Sequence, residues 1–250
     1  MRRLRAVARL FRCVIHGLHG LWIALVRFPS LSPAERQARI RWWSQKLLRL
    51  IGIDLRVEGT AATGGSLLVV NHISWLDVMV VHAVVPEARF VSKADVKSWP
   101  LLSRLIDSAG TLYLERERKR DALRVVHAMA AALRGGQTVA IFPEGTTSTG
   151  HGLLPFHANL LQAAISTATP VQPVALRFSD SSHAVSEAME FVGATTLVQS
   201  LWQSACGDGV TARLVFLAPR PSAGSERRQL AVRLRADIGA ALAIAQPPEA

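Results

Sequence analysis

Two polar islands interrupt apolar runs in this chain, and their residue types suit proton transfer. The first is Asn71-His72-Ile73-Ser74-Trp75-Leu76-Asp77, which follows the apolar residues 66–70. On one regular helix the His72-to-Asp77 spacing is about 140° around the axis, so the two side chains would face apart. They meet only if His72 lies in a turn and Asp77 in the first helical turn, with Ser74 as the N-cap. In that geometry Asp77 fixes the imidazole tautomer and stabilises the imidazolium. His72 then takes a proton from a substrate hydroxyl, an effect typically worth about 10²–10⁴ in rate. Such a pair resembles a serine-protease dyad without the serine, and the nucleophile would be the substrate's own alcohol. The competing reading is a capping pair, Ser74-x-x-Asp77, with His72 a plain turn residue.

The second island, Phe142-Pro143-Glu144-Gly145-Thr146, closes the apolar run 137–142. It reads as a tight turn. Its backbone N–H groups and the Thr146 hydroxyl also suit a phosphate or a developing oxyanion. Glu144 suits a substrate hydroxyl or a basic neighbour. A third strand candidate ends in Leu114-Glu115-Arg116, and that position singles out Arg116, within a charge run, as a phosphate ligand. The chain has no Gly-x-Ser-x-Gly elbow, no P-loop and no Gly-x-Gly-x-x-Gly. Its two cysteines, Cys13 and Cys206, form neither a disulfide framework nor a metal-binding pair, and no metal site is expected.

The elements that must hold these islands alternate. Strands are predicted at 54–58, 66–70, 88–92, 111–114, 137–142, 171–178 and 211–217, and helices at 74–85, 99–108, 118–134, 155–168, 195–205 and 224–244. This pattern predicts an α/β fold with a largely parallel or mixed sheet covered by helices. Reactive groups in such sheets lie beyond the carboxyl ends of strands, where both islands fall. With half of the 250 residues hydrophobic, a sizeable core is available. We divide the chain into helices over 1–52, an α/β domain over 53–245 and a loose tail over 246–250.

The net charge of +11 is concentrated at the start, where residues 1–50 hold eleven Lys/Arg against Glu35 alone. A basic arm suits nucleic acid or an anionic membrane. The uncharged stretch 13–26, with Leu18, Leu21, Trp22, Ile23 and Leu25, argues against nucleic acid. It is shorter than the about 20 residues of a spanning helix. A segment lying on or embedded in one leaflet fits, with arginines at the headgroups. A cleaved signal peptide lacks a convincing cleavage site. Ser32, Pro33 and Glu35 predict a capped second helix. On it, Trp42 and Trp43 suit either a membrane interface or packing on the body.

Taken together, the islands resemble the glycerolipid acyltransferase family, in particular bacterial 1-acylglycerol-3-phosphate acyltransferases. Asn71-His72…Asp77 is similar to the family's Asn-His-x4-Asp motif, and Phe142-Pro143-Glu144-Gly145-Thr146 to its Phe-Pro-Glu-Gly-Thr motif. Between them, residues 110–116 resemble the motif ending in Arg. Thr169-Pro170-Val171-Gln172-Pro173-Val174 resembles the paired-proline strand. The N-terminal helices are similar to the family's membrane-associated helical pair.

The resemblance implies His72 as base and Asp77 as its orienting acid, with Asn71 and Pro143 structural at the site. It implies Arg116, Glu144, Gly145, Thr146 and Lys93 as acceptor-binding residues. The acyl group would come from acyl-CoA or acyl carrier protein as co-substrate, with no resident cofactor. The acceptor would be a lysolipid, first of all 1-acylglycerol-3-phosphate, and the place the cytoplasmic face of the inner membrane. Two departures bear on the acceptor. Thr147 stands where many family members have Arg, and Phe156-His157-Ala158-Asn159 stands for Phe-Lys-x-Gly. Fewer cations weaken the case for a phosphomonoester and leave an ornithine-type lysolipid or a lysophosphodiester as the alternative acceptor. A hydrolase using His72 on water is the reading from another class.

Overall fold

The computed structural model describes residues 2–93, 100–114 and 119–243 of the chain. Seven strands form one sheet in the order β1-β7-β6-β2-β5-β3-β4. They are β1 (Ile53–Glu58), β2 (Leu67–Val70), β3 (Arg89–Lys93), β4 (Leu112–Leu114), β5 (Val139–Ile141), β6 (Val171–Ser179) and β7 (Val210–Phe216). Every neighbouring pair is parallel except β6 with β7. The predicted sheet is therefore present, in its mixed form.

Period-two alternation sorts the strand side chains between two cores. Leu68, Val70, Ala140, Val174 and Leu176 face one side. There they meet α2 (Pro33–Ile51) and α3 (Leu76–His82). Leu67, Val69, Val139, Ile141 and Val171 face the other side. They meet α5 (Lys119–Arg134), α6 (Gln162–Thr167) and α8 (Arg227–Ala241). All four residues of β2 are fully buried, as expected of a central parallel strand covered on both faces. The remaining helices are α1 (Arg2–Trp22), α4 (Pro100–Ser108) and α7 (Leu197–Cys206). The segment predicted as one helix over 155–168 is a 3₁₀ turn, Ala158–Leu161, leading into α6.

The N-terminal helices pack on the body along their length. α1 continues through a π-helical turn, Ile23–Arg27, and a 3₁₀ turn, Phe28–Ser30. Ala6, Cys13, His16, Ile23 and Phe28 are buried on its inner face. Leu4, Val7, Phe11, Val14, Leu18, Trp22 and Leu25 form an exposed apolar stripe at helical spacing on its outer face. The stretch Arg3–Ser30 is long and apolar enough to cross a membrane.

Not all of the arginines stand at the periphery, where the sequence placed them. Arg9 Nη1 donates to the carbonyls of Ala205 (3.0 Å) and Gly207 (2.6 Å) at the C-terminus of α7, a site that favours a cation. Arg5 pairs with Asp208 at 2.9 Å. Trp43 also turns inward. Its indole stacks on His16 with centroids 4.9 Å apart and donates to the His16 carbonyl at 3.0 Å. Gly20 permits this approach, because a Cβ there would lie 2.3 Å from Trp43 Nε1. The predicted capping box of α2 is present, with Ser32 accepting from the Glu35 N–H and Glu35 from the Ser32 N–H.

Candidate active site

The carboxyl ends of β2 and β5, adjacent in the sheet, bring the two islands together. His72 leaves β2 in a turn, and Asp77 sits in the first turn of α3. His72 Nδ1 lies 2.7 Å from Asp77 Oδ2. The same oxygen accepts the Ile73 N–H at 2.7 Å and the Ser74 N–H at 2.9 Å. Ser74 is not the N-cap that the sequence suggested. The cap position is Trp75, without a side-chain bond. The expected capping pair runs the other way: Asp77 reaches back to the backbone, while the buried Ser74 Oγ has no hydrogen-bond partner among the described residues. One oxygen of Asp77 thus meets both the imidazole and the backbone N–H groups at the helix start.

This arrangement sets the imidazole tautomer. A carboxylate that already accepts two backbone N–H groups acts as acceptor, so Nδ1 carries the hydrogen and donates it. Nε2 is left with its lone pair and makes no hydrogen bond among the described residues. The Asp77 side chain is 0% exposed and the His72 side chain 19%, so the pair is shielded at the carboxylate and open at the imidazole.

The His72 backbone is fastened on every side. Its N–H donates to Glu144 Oε1 at 2.7 Å, and its carbonyl accepts the Ser148 N–H at 2.8 Å. The Ile73 carbonyl accepts from Phe191 N–H at 3.2 Å. The second oxygen of Glu144 accepts the Leu154 N–H at 2.9 Å. Glu144 is buried, and that burial raises its pKa, against the lowering effect of the two backbone N–H bonds. Sequence reasoning gave Glu144 a substrate hydroxyl or a basic neighbour; here both oxygens hold backbone. The Gly145 N–H closes its own turn on the Phe142 carbonyl at 3.1 Å, and Gly145 needs its φ of +69° for that turn. Thr146 is exposed beside it.

Asn71 pairs β2 with β6 through both ends of its amide, to the Leu176 carbonyl (2.9 Å) and N–H (2.7 Å). Pro143 is buried, and its carbonyl accepts the His157 N–H at 2.8 Å. Lys93 ends β3, on the same edge of the sheet as the two islands. Its side chain and all of Arg116 lie outside the described residues. Thr147 turns its hydroxyl to the Phe191 carbonyl. His157 and Asn159 are exposed. Of the paired prolines, Pro170 precedes β6 at the end of the sheet away from His72, while Pro173 lies within the strand, level with Val69.

An aromatic stack escaped the sequence reading. The His72 ring lies on Phe142 with centroids 4.0 Å apart and planes 11° apart. Phe142 in turn stacks on Phe90 at 5.4 Å. Phe142 was visible as an island residue, but the contact depends on β2 and β5 being neighbours, which spacing alone does not give.

A paired histidine and carboxylate at the carboxyl end of a parallel strand pair suits a protein that activates a hydroxyl. Comparison with known proteins gives the family. The acyltransferase family model matches residues 54–177, which contain both islands. The lyso-ornithine lipid O-acyltransferase of Pseudomonas aeruginosa is 35% identical over 249 residues, covering 97% of this chain and 95% of that protein. The 1-acyl-sn-glycerol-3-phosphate acyltransferase of Neisseria meningitidis is 35% identical over 178 residues, 71% of this chain and 69% of its own. The crystal structure of the 1-acyl-sn-glycerophosphate acyltransferase of Thermotoga maritima shares the fold, with a TM-score of 0.65 at 20% identity over 94% of this chain and 96% of that one. The chain belongs to the acyltransferase family and is an acyltransferase.

Proposed function

We propose that this enzyme moves a fatty acyl group from an acyl thioester to the free hydroxyl of a lysolipid at a membrane surface. The observation that carries this reading is the His72–Asp77 pair, with its tautomer set and Nε2 left as the base. Nε2 takes the hydroxyl proton as the acceptor oxygen attacks the thioester carbonyl. The tetrahedral carbon then expels sulfur, and the imidazolium returns its proton to the leaving thiolate. The products are a free thiol and an ester. Acyl-CoA or acyl carrier protein supplies the thioester, and the scheme needs no resident cofactor. Glu144, Gly145 and Pro143 act as a brace for the His72 turn, while Lys93, Arg116 and Thr146 are left to meet the acceptor.

Two observations favour a lyso-ornithine lipid as that acceptor. The relative named for it matches across nearly the whole chain. Position 147 holds a threonine whose hydroxyl is committed to a backbone carbonyl, so it offers no cation to a phosphomonoester. The equal identity of the Neisseria enzyme supports 1-acylglycerol-3-phosphate as the second reading.

The outer stripe of α1 supports membrane attachment. Its inner face is packed on the body from Ala6 to Phe28, which favours a helix lying in one leaflet over a helix that crosses. Cytosolic thioester donors put that leaflet on the cytoplasmic side of the inner membrane. The test is acyl transfer from a labelled thioester by the membrane-bound enzyme to a panel of lysolipids. Highest turnover with lyso-ornithine lipid is expected. Highest turnover with 1-acylglycerol-3-phosphate would establish the second reading, and thioester loss without acylated lipid would replace both with a hydrolase.

A further inference from the structure

The base has a neighbour that the proton-transfer scheme has not used. The Phe142 ring lies flat on the imidazole at 4.0 Å and 11°, a face-to-face contact rather than an edge contact. Phe142 is held in turn by Phe90, stacked at 5.4 Å and 19°. Phe90 is buried and meets the His82 ring edge-on at 5.0 Å, in the helix that carries Asp77. The ring plane of His72 is therefore set from two directions. Asp77 fixes rotation about the Nδ1 bond, and Phe142 fixes the tilt.

We propose that Phe142 is a positioning residue that also favours the charged form of His72, so that its ring face stabilises the imidazolium formed as the acceptor hydroxyl is deprotonated. The electron-rich face of an arene attracts a cation placed over it, by more when the site is shielded from water. A neutral imidazole gains little from that face, so the contact strengthens as the proton arrives, which is the condition for speeding the step. Among the described residues the charged or titratable groups facing His72 are Asp77, at 2.7 Å on the ring, and Glu144, on the backbone N–H. Asp77 meets the ring at Nδ1 and Glu144 meets the backbone, while the arene lies on the ring face.

The inference rests on His72 being the base. It is tested by replacing Phe142 with phenylalanines carrying one, two, three and five ring fluorines, which keep the shape while draining and finally reversing the charge on the ring face. Expected is a stepwise fall in kcat, reaching roughly 2- to 30-fold, with KM for both substrates unchanged. The acid limb of the pH–rate profile should move to lower pH along the series, because a less stabilised imidazolium loses its proton more readily. Thermal unfolding should stay constant, which a packing role alone would not reconcile with a changing rate. Phe142→Tyr should keep most of the rate, and Phe142→Leu should lose it. A flat rate and an unmoved acid limb across the fluorinated series would overturn the proposal. His72→Ala run in parallel separates the two failures. If it is inactive while the series is flat, only the role of Phe142 falls. If it turns over normally, the base assignment falls first.

Discussion

Replacing Asp77 with asparagine isolates the charge of the acid from its geometry. Asp77 Oδ2 accepts three hydrogen bonds, from His72 Nδ1 and from the Ile73 and Ser74 N–H groups, at 2.7 to 2.9 Å. The amide introduced by Asp77→Asn can turn either way, and those two backbone donors decide which. Only the carbonyl oxygen can face them, because the NH₂ group would oppose two N–H groups. The carbonyl therefore keeps accepting from Nδ1, and Nε2 keeps its lone pair. What is lost is the charge behind the imidazolium. A hydrogen bond to a charged partner is worth about 1.5–3 kcal/mol, so kcat should fall roughly 10- to 150-fold. In a triad where the amide is free to turn and sets the wrong tautomer, the loss is about 10⁴. The NH₂ group would take the place of Oδ1, which is buried without a partner among the described residues, at a cost of about 1–3 kcal/mol in stability. Single-turnover acyl transfer, with unfolding of the same preparation, reads both effects. A rate within about threefold of wild type would remove the charge from the mechanism. A loss of about 10⁴ would mean that the backbone donors do not fix the amide.

Glu144→Gln should act on the turn rather than on acceptor affinity. One of its two backbone bonds becomes an N–H facing an N–H, so stability falls by about 1–3 kcal/mol and kcat drops while the acceptor KM holds; a raised KM at unchanged kcat would return Glu144 to the acceptor. His82, in α3, is buried with its Nε2 at the Ala88 carbonyl, and burial pulls its pKa from 6.5 to about 4. A histidine depressed in the folded state resists protonation there, so the unfolded chain binds more protons between the two values. Stability contributed by His82 is complete above pH 6.5 and is lost as pH falls to about 4, by about 3 kcal/mol. Denaturation midpoints of wild type and His82→Leu should therefore converge in acid, and parallel curves would refute the assignment. Phe11→Glu with Leu18→Glu on the outer stripe of α1 should release the protein from membranes while leaving the body folded, since each charge costs about 2.5–3.5 kcal/mol in the apolar phase; an unchanged membrane fraction would move the attachment elsewhere.

The local elements were legible because their signals are local. Alternating apolar runs located all seven strands, and Ser32-Pro33-x-Glu35 located the start of α2 to the residue. The proximity of His72 and Asp77 could be argued from spacing, because only a turn followed by a helix brings them together. Ser74 misled, since a serine before a helix signals a cap whether or not its hydroxyl is used. The longer-range parts needed the strand order. The hydrogen bonds from Glu144 to His72 and Leu154, and the stack of His72 on Phe142, exist because β5 lies beside β2. Arg9 could be read as a headgroup contact because a guanidinium on helix carbonyls leaves no mark at either sequence position. The paired prolines carry a recognisable pattern, but that Pro173 falls level with Val69 on the neighbouring strand follows only from β6 pairing with β2.

Whether His72 is the base is decided by the rate of acyl transfer by His72→Ala in native membranes, with thioester and lysolipid both saturating. A loss of at least about 10²-fold is expected, with membrane attachment and unfolding temperature unchanged, because the base is removed and the fold and the α1 stripe are not. Turnover within a few-fold of wild type would contradict the assignment and would place the proton-accepting group elsewhere in the chain.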